Sequence, residues 1–219
     1  MNDLVVLTNA GFNANSTYNS STLMLITRGY YGNNGPGVGG SSPNYGSGAG
    51  HGGQGGAGSG PAAGGPTYGY SNAPVSPGSG GWRSSYEAGQ GGGAVRIVAV
   101  NVTLNGTITA DATQGGLVSG TTWGGGGSGG SVYLRCRSFG GGGLLSADGG
   151  NGAPGSGGNY PGGGGGGRIA VWSMYWSFAG TTTVTGGLAA GYSSGSTNGQ
   201  PGTLFWGQLP LPGTIFTGL

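Results

Sequence analysis

Few side chains in this 219-residue chain can do acid–base or covalent chemistry. It holds one His, one Cys, four acids and six Arg, and it has no Lys. Gly126-Gly127-Ser128-Gly129-Gly130 matches the G-x-S-x-G pattern of a nucleophile elbow. That chemistry needs a His and an acid beside the Ser. His51 stands in a glycine-rich stretch far from every acid, so the match reads as chance. A phosphate-cradling loop needs a Lys and a strand–loop–helix context, and neither is visible. Asp111 and Asp148 occupy equivalent positions that two carboxylates sharing a cation would need. The third equivalent is Thr185 and no calcium nonapeptide is present, so a turn role is expected. Cys136 has no disulfide partner, and one Cys with one His does not make a zinc site. The acids Asp3, Glu87, Asp111 and Asp148 are too scattered for the paired carboxylates of a polysaccharide-acting enzyme. The reading is non-enzymatic, with no catalytic residue, no cofactor and no metal.

The elements that carry these residues follow from composition. Glycine supplies 62 residues and hydrophobic types 34%. Each Gly costs a helix roughly 0.8–1 kcal/mol relative to Ala, and the good helix formers are scarce. A net charge of +2 without Lys is no footprint for nucleic acid. No apolar run approaches the length of a membrane span, so no membrane insertion is expected.

Self-similarity supplies the organisation. Gly92–Asp111, Gly129–Asp148 and Gly166–Thr185 align without a gap at a period of 37 residues. Val95, Val132 and Ile169 coincide, as do Ile97, Leu134 and Val171. Ala99, Cys136 and Ser173 are all small, so Cys136 reads as a core residue. Gly106, Gly143 and Gly180 mark a break. Apolar positions alternate within each run, which is the strand signal. The fold class expected is all-β: a glycine-rich β-solenoid of about four two-stranded units, with glycine loops between them and no helices of note. Stacked units bury an apolar stripe that one unit alone cannot. Glycine runs such as Gly124–Gly127 and Gly162–Gly167 can form extended three-residue-per-turn helices that bond through their backbones.

The chain divides accordingly. Residues 1–31 read as an irregular first unit, with Leu4–Thr8 as its first strand and Thr22–Arg28 as its second. Residues 32–93 are a Gly/Pro/Ser/Tyr-rich insertion. Residues 94–206 form the solenoid, as units 94–130, 131–167 and 168–202 and a partial strand 203–206. Residues 207–219 are a C-terminal cap or docking tail.

The segments GGSVYLRC…LLSADGGNGAPGSGG and GGGGGGRIAVW…TGG resemble the glycine-rich parallel β-helix repeats of bacterial surface and secreted proteins. The resemblance covers about Gly91–Trp206. The glycine motifs Gly46–Gly65, Gly124–Gly130 and Gly162–Gly167, interleaved with aromatic stretches, are similar to the polyglycine-rich tail-fibre tip adhesins of T-even-like bacteriophages. This second resemblance implies a polyglycine scaffold whose loops bind host receptors. Neither brings enzymatic residues.

Loop aromatics are the expected receptor or partner contacts: Tyr45, Tyr68, Tyr70, Trp82, Tyr86, Trp123, Tyr160 and Tyr192. The alternative is that they fold back over the glycine loops. The solenoid ends need caps or partners, and the assembly candidates are Leu4, Val5, Val6, Leu7, Leu209, Leu211, Ile215 and Phe216. The partners expected are self, as a homotrimer or filament, neighbouring structural proteins, and a cell-surface glycan or outer-membrane receptor. Met1–Thr17 has no basic n-region and does not read as a secretory signal. The expected place is a virion surface or an extracellular one. The function expected is a structural or adhesive phage component, with a secreted bacterial surface fibre as the alternative. An ice-binding solenoid is a remoter reading, carried by Thr107, Thr109, Thr181 and Thr183 and interrupted by Leu144 and Ser146.

Overall fold

The computed structural model describes residues 3–16, 29–40, 46–82, 88–118, 122–155, 160–189, 195–211 and 213. Among these the chain is all-β, without helices, and resembles a β-solenoid: three parallel sheets of four strands each. The strands are β1 (Leu4–Val6), β2 (Gly11–Asn13), β3 (Ala94–Val98), β4 (Asn101–Leu104), β5 (Thr107–Thr109), β6 (Leu117–Val118) and β7 (Thr122–Trp123). They continue as β8 (Ser131–Arg135), β9 (Ser138–Gly141), β10 (Leu144–Ser146), β11 (Arg168–Ser173), β12 (Tyr175–Phe178), β13 (Thr181–Thr183) and β14 (Thr203–Gln208).

One sheet runs β3-β8-β11-β14, a second β1-β4-β9-β12 and a third β2-β5-β10-β13. In the first, Val95 pairs with Val132, which pairs with Ile169, which pairs with Leu204. A parallel neighbour in register puts like side chains about 4.8 Å apart, so each inward position becomes a column. Val132, Leu134, Phe139, Leu145, Ile169 and Val171 come from all three sheets and are almost fully buried in one core. Val95 and Ile97 complete the columns from a half-buried position. Cys136 and Ser173 are buried where the first strand of their coils ends.

Three expectations are corrected. Each coil holds three strands, not two, because the chain turns a corner at residues 99–100, 136–137 and 174. The carbonyl of Val100 accepts the N–H of Arg137 at 2.7 Å, so the corners also bond to one another. Leu4–Val6 pairs with Val102–Leu104 and Gly11–Asn13 pairs with Thr107–Thr109. The N-terminal strand therefore belongs to the second position of a coil, not the first, and it is three residues long. The expected strand Thr22–Arg28 lies outside the described residues. The last strand extends to Gln208 rather than Trp206.

Glycine segments beside the sheets bond to each other in a period of three. Gly162 and Gly165 donate to Gly46 and Ala49, Gly163 and Gly166 to Thr197 and Gln200, and Gly164 and Gly167 to Gly150 and Ala147. Gly126 and Gly129 donate in turn to Gly162 and Gly165. The described part of the 32–93 insertion is thus stitched into the loops of later coils. It also covers the outer face of the first sheet, where the indole N–H of Trp172 donates to the Asn72 carbonyl at 2.7 Å.

Candidate functional site

The residues with potential chemistry serve the backbone. Ser128 is buried, accepts the Ser79 N–H at 2.8 Å and donates to the Ser79 carbonyl at 3.3 Å. His51 lies near it, but its Nδ1 bonds to the Gly129 carbonyl at 2.8 Å, not to the Ser hydroxyl. Its Nε2 is buried without a partner among the described residues. Burial, reinforced by the charge of Arg168, lowers the His51 pKa to about 4 against the pull of its backbone bonds. His51 is therefore neutral and packs on the Tyr68 ring at 4.5 Å. Arg168 is buried beside them and donates to the carbonyls of Tyr68 (2.9 Å) and His51 (3.1 Å) and to the Thr203 hydroxyl (3.0 Å). This cluster ties the insertion to β11 and β14.

Asp111 and Asp148 do stand in one column. The Asp148 N–H donates to Asp111 Oδ1 at 2.7 Å, and the Thr185 N–H donates to Asp148 Oδ1 at 2.6 Å. Asn15 Oδ1 accepts the Asp111 N–H at 2.7 Å below them. Thr185 does not break this ladder, since only its backbone N–H is used. Burial pushes the Asp111 pKa up, against its hydrogen bonds from Ser146 and Asp148. Among the described residues, no three His, Cys, Asp or Glu side chains meet.

The loop aromatics separate into classes. Tyr70 is 76% exposed. Tyr68, Trp82 and Tyr160 are half-buried. The Tyr68 hydroxyl donates to the Pro77 carbonyl at 2.5 Å and accepts from Ser79 at 3.0 Å. Trp123 is buried, a correction to its place among the contacts: it pairs with Leu117 in the β6–β7 hairpin. Tyr45, Tyr86 and Tyr192 lie outside the described residues. Of the assembly candidates, Val6 is buried in the core and is corrected likewise. Val5, Leu7 and Leu211 are exposed, while Leu4 and Leu209 are half-buried. Ile215 and Phe216 lie outside the described residues. The Thr107 and Thr181 pairs flank Leu144 in register, so no continuous Thr column forms.

Sequence reasoning missed the aromatic end of the stack. Trp176 stands above Phe139 and Trp206 above Val171, both in inward columns. Because no described strand follows β12 and β13, Trp176 is 38% and Trp206 45% exposed. With Phe178, Gly180, Thr182 and Gln208 they line a groove of about 450 Å³. Trp176 meets Trp206 edge to face at 5.4 Å and donates from Nε1 to the Gln208 side-chain oxygen at 3.2 Å. The available signal was their alignment with core positions in the last coil. The groove can take apolar or aromatic-stacking groups, with an amide and a hydroxyl at its rim. No family model matches the chain, and neither a curated protein nor a solved structure matches it.

Proposed function

We propose that this chain is a non-enzymatic structural and adhesive protein of an exterior surface, a fibre, decoration or receptor-binding component of a phage particle. Its 37-residue units form a β-solenoid, and its glycine segments pack as polyglycine-II-like helices. The observation that carries the reading is the three-residue period of donors along Gly162–Gly167, shared among three neighbouring segments. A polyglycine II helix has three residues per turn and no internal hydrogen bonds, so every N–H points outward to a neighbour. Close approach requires Gly: a Cβ on Gly164 would sit 1.8 Å from the Gly127 carbonyl oxygen. Such a lattice converts flexible loops into a rigid body with little charged surface, which suits a fibre exposed to variable salt. The chain resembles glycine-rich β-helix surface proteins and tail-fibre tip adhesins in this respect. Tyr70 is the leading receptor contact.

The test is retention of the labelled full chain on a panel of bacterial cells and immobilised surface glycans. Saturable binding that falls with Tyr70→Ala, with no release of sugar, is the expected result. Absence of binding to every surface, together with turnover of a polysaccharide, sinks the reading.

A further inference from the structure

Among the described residues, the two ends of the stack are incomplete in opposite ways. At the N-terminal end, β1 and β2 supply strands to the second and third sheets, and no described strand supplies the first. At the C-terminal end, β14 supplies the first sheet, and no described strand supplies the other two beyond β12 and β13. Among the described strands, one end lacks what the other carries. Both also expose inward columns. Trp176, Trp206 and Leu204 are uncovered at the C-terminal end, and Phe12 is 42% exposed at the N-terminal end.

We propose that copies of this chain stack head to tail. The β1 and β2 strands of one copy seat on β12 and β13 of the next, beside its β14, so that two partial coils make one whole coil. The proposal deepens the fibre reading above, on which its biological use rests, while its geometry stands on the strand pairing alone. The occupant of the aromatic groove is then a second copy.

The register comes from continuing the parallel pairing already present. Leu4 pairs with Val102, in the column of Phe139 and Trp176. Leu4 of the incoming copy would lie over Trp176, Val5 beside Ser177 and Val6 over Phe178. Phe12, in the column of Ile108 and Leu145, would cover Thr182. In the first sheet, β3 of the incoming copy would pair with β14, placing Arg96 against Phe205. The same column already holds Arg96 over the Tyr133 ring at 5.5 Å, so the contact repeats a cation–aromatic pairing of the fold. Each joint would satisfy the outer backbone edges of three sheets, the groups that make an open edge associate. A heterologous contact of this kind does not close and yields filaments.

The test uses the full chain with the pair Val5→Cys and Ser177→Cys. Within one copy these positions are three strand spacings apart, about 14 Å, beyond the roughly 4.4–6.8 Å that a disulfide spans. Between stacked copies they are adjacent. Mild oxidation is expected to give a ladder of covalent multimers, while each single variant stops at dimers. For the unmodified chain, the solution mass is expected to rise with concentration above 20.9 kDa. Phe12→Lys or Leu204→Lys, with unchanged circular dichroism, is expected to weaken assembly about tenfold or more, roughly 1.4 kcal/mol. A double-cysteine variant that gives no multimers, with a mass fixed at one copy, overturns the proposal. So does assembly that appears only after residues 212–219 are deleted, since the chain's own tail then fills the groove. A monomer that still binds cells would leave the adhesive reading standing and remove this one. Filaments that bind no surface would do the reverse.

Discussion

Asp148 gives its backbone N–H to the carboxylate of Asp111 at 2.7 Å, one coil away along the stack. Ser146 donates its hydroxyl to the same oxygen. The carboxylate therefore works as a rung between coils. Asp111→Ala leaves the Asp148 N–H without its acceptor and Ser146 with only its longer bond to Asp148 Oδ2 at 3.4 Å, at a cost of about 1–3 kcal/mol. Asp111→Asn keeps an acceptor and should recover more than half of the loss. Urea unfolding of the three proteins at neutral pH checks this; equal stability of the Ala and wild-type chains would contradict the rung.

The pH profile should carry the signature of His51. Its folded pKa of about 4 lies below the usual 6.5, with burial as the main cause. The unfolded chain therefore takes up the proton first. The stability that neutral His51 contributes is present above pH 6.5 and is lost as pH falls toward 4, by up to about 3 kcal/mol. Asp111, with a raised pKa, works in the opposite sense. The difference between wild type and His51→Asn isolates the His contribution, and it should vary with pH between 4 and 6.5. A pH-independent difference would refute it.

Tyr68 should mark the alkaline side. Burial raises its pKa to about 12 from 10. The folded state holds the protonated phenol while the unfolded chain releases the proton, so stability falls as pH rises from 10 to 12. Tyr68→Phe loses the bond to the Pro77 carbonyl, about 1 kcal/mol at neutral pH. It should also flatten the decline above pH 10 in thermal melts.

Two glycines separate lattice packing from composition. A Cβ at Gly164 meets a carbonyl oxygen at 1.8 Å, whereas one at Gly142 meets nothing within 4 Å. Gly164→Ala should destabilise by about 3 kcal/mol or more, since the neighbour is backbone and cannot swing away. Gly142→Ala should be neutral or stabilising by a few tenths of a kcal/mol through the unfolded state. Equal melting points for the two variants would argue that the glycine segments do not pack closely.

The legible part of the fold was its columns. Val95, Val132 and Ile169 share a core column because equal spacing plus two-residue alternation leaves one register that keeps this apolar set inside. The corner at Ala99-Val100 was illegible, since it contains no Gly or Pro and continues the apolar run. Leu4–Val6 was misplaced for a related reason: a three-residue apolar strand fits any sheet of a coil by pattern alone. Its pairing with Val102–Leu104 is chosen by the turn after it, which brings Ala10 and Gly11 against Thr107.

The candidate site divides along the same line. The scarcity of titratable groups and the glycine spacing were set by composition and local order, which a sequence displays directly. Whether an aromatic is exposed depends on which strand lies next to it, and that is decided across more than 30 residues of chain. Trp123 is covered, while Trp176 and Trp206 are open because no described strand lies above them. Residue order was enough to set the strand alternation, the spacing of the columns and the need for backbone-only packing in the glycine segments. Long-range folding was needed to join the insertion to the loops of later coils, to bury His51 neutral beside Arg168, and to leave Trp176 and Trp206 exposed. The physical reason is that local patterns specify which face of a strand is apolar, while long-range pairing specifies what covers it.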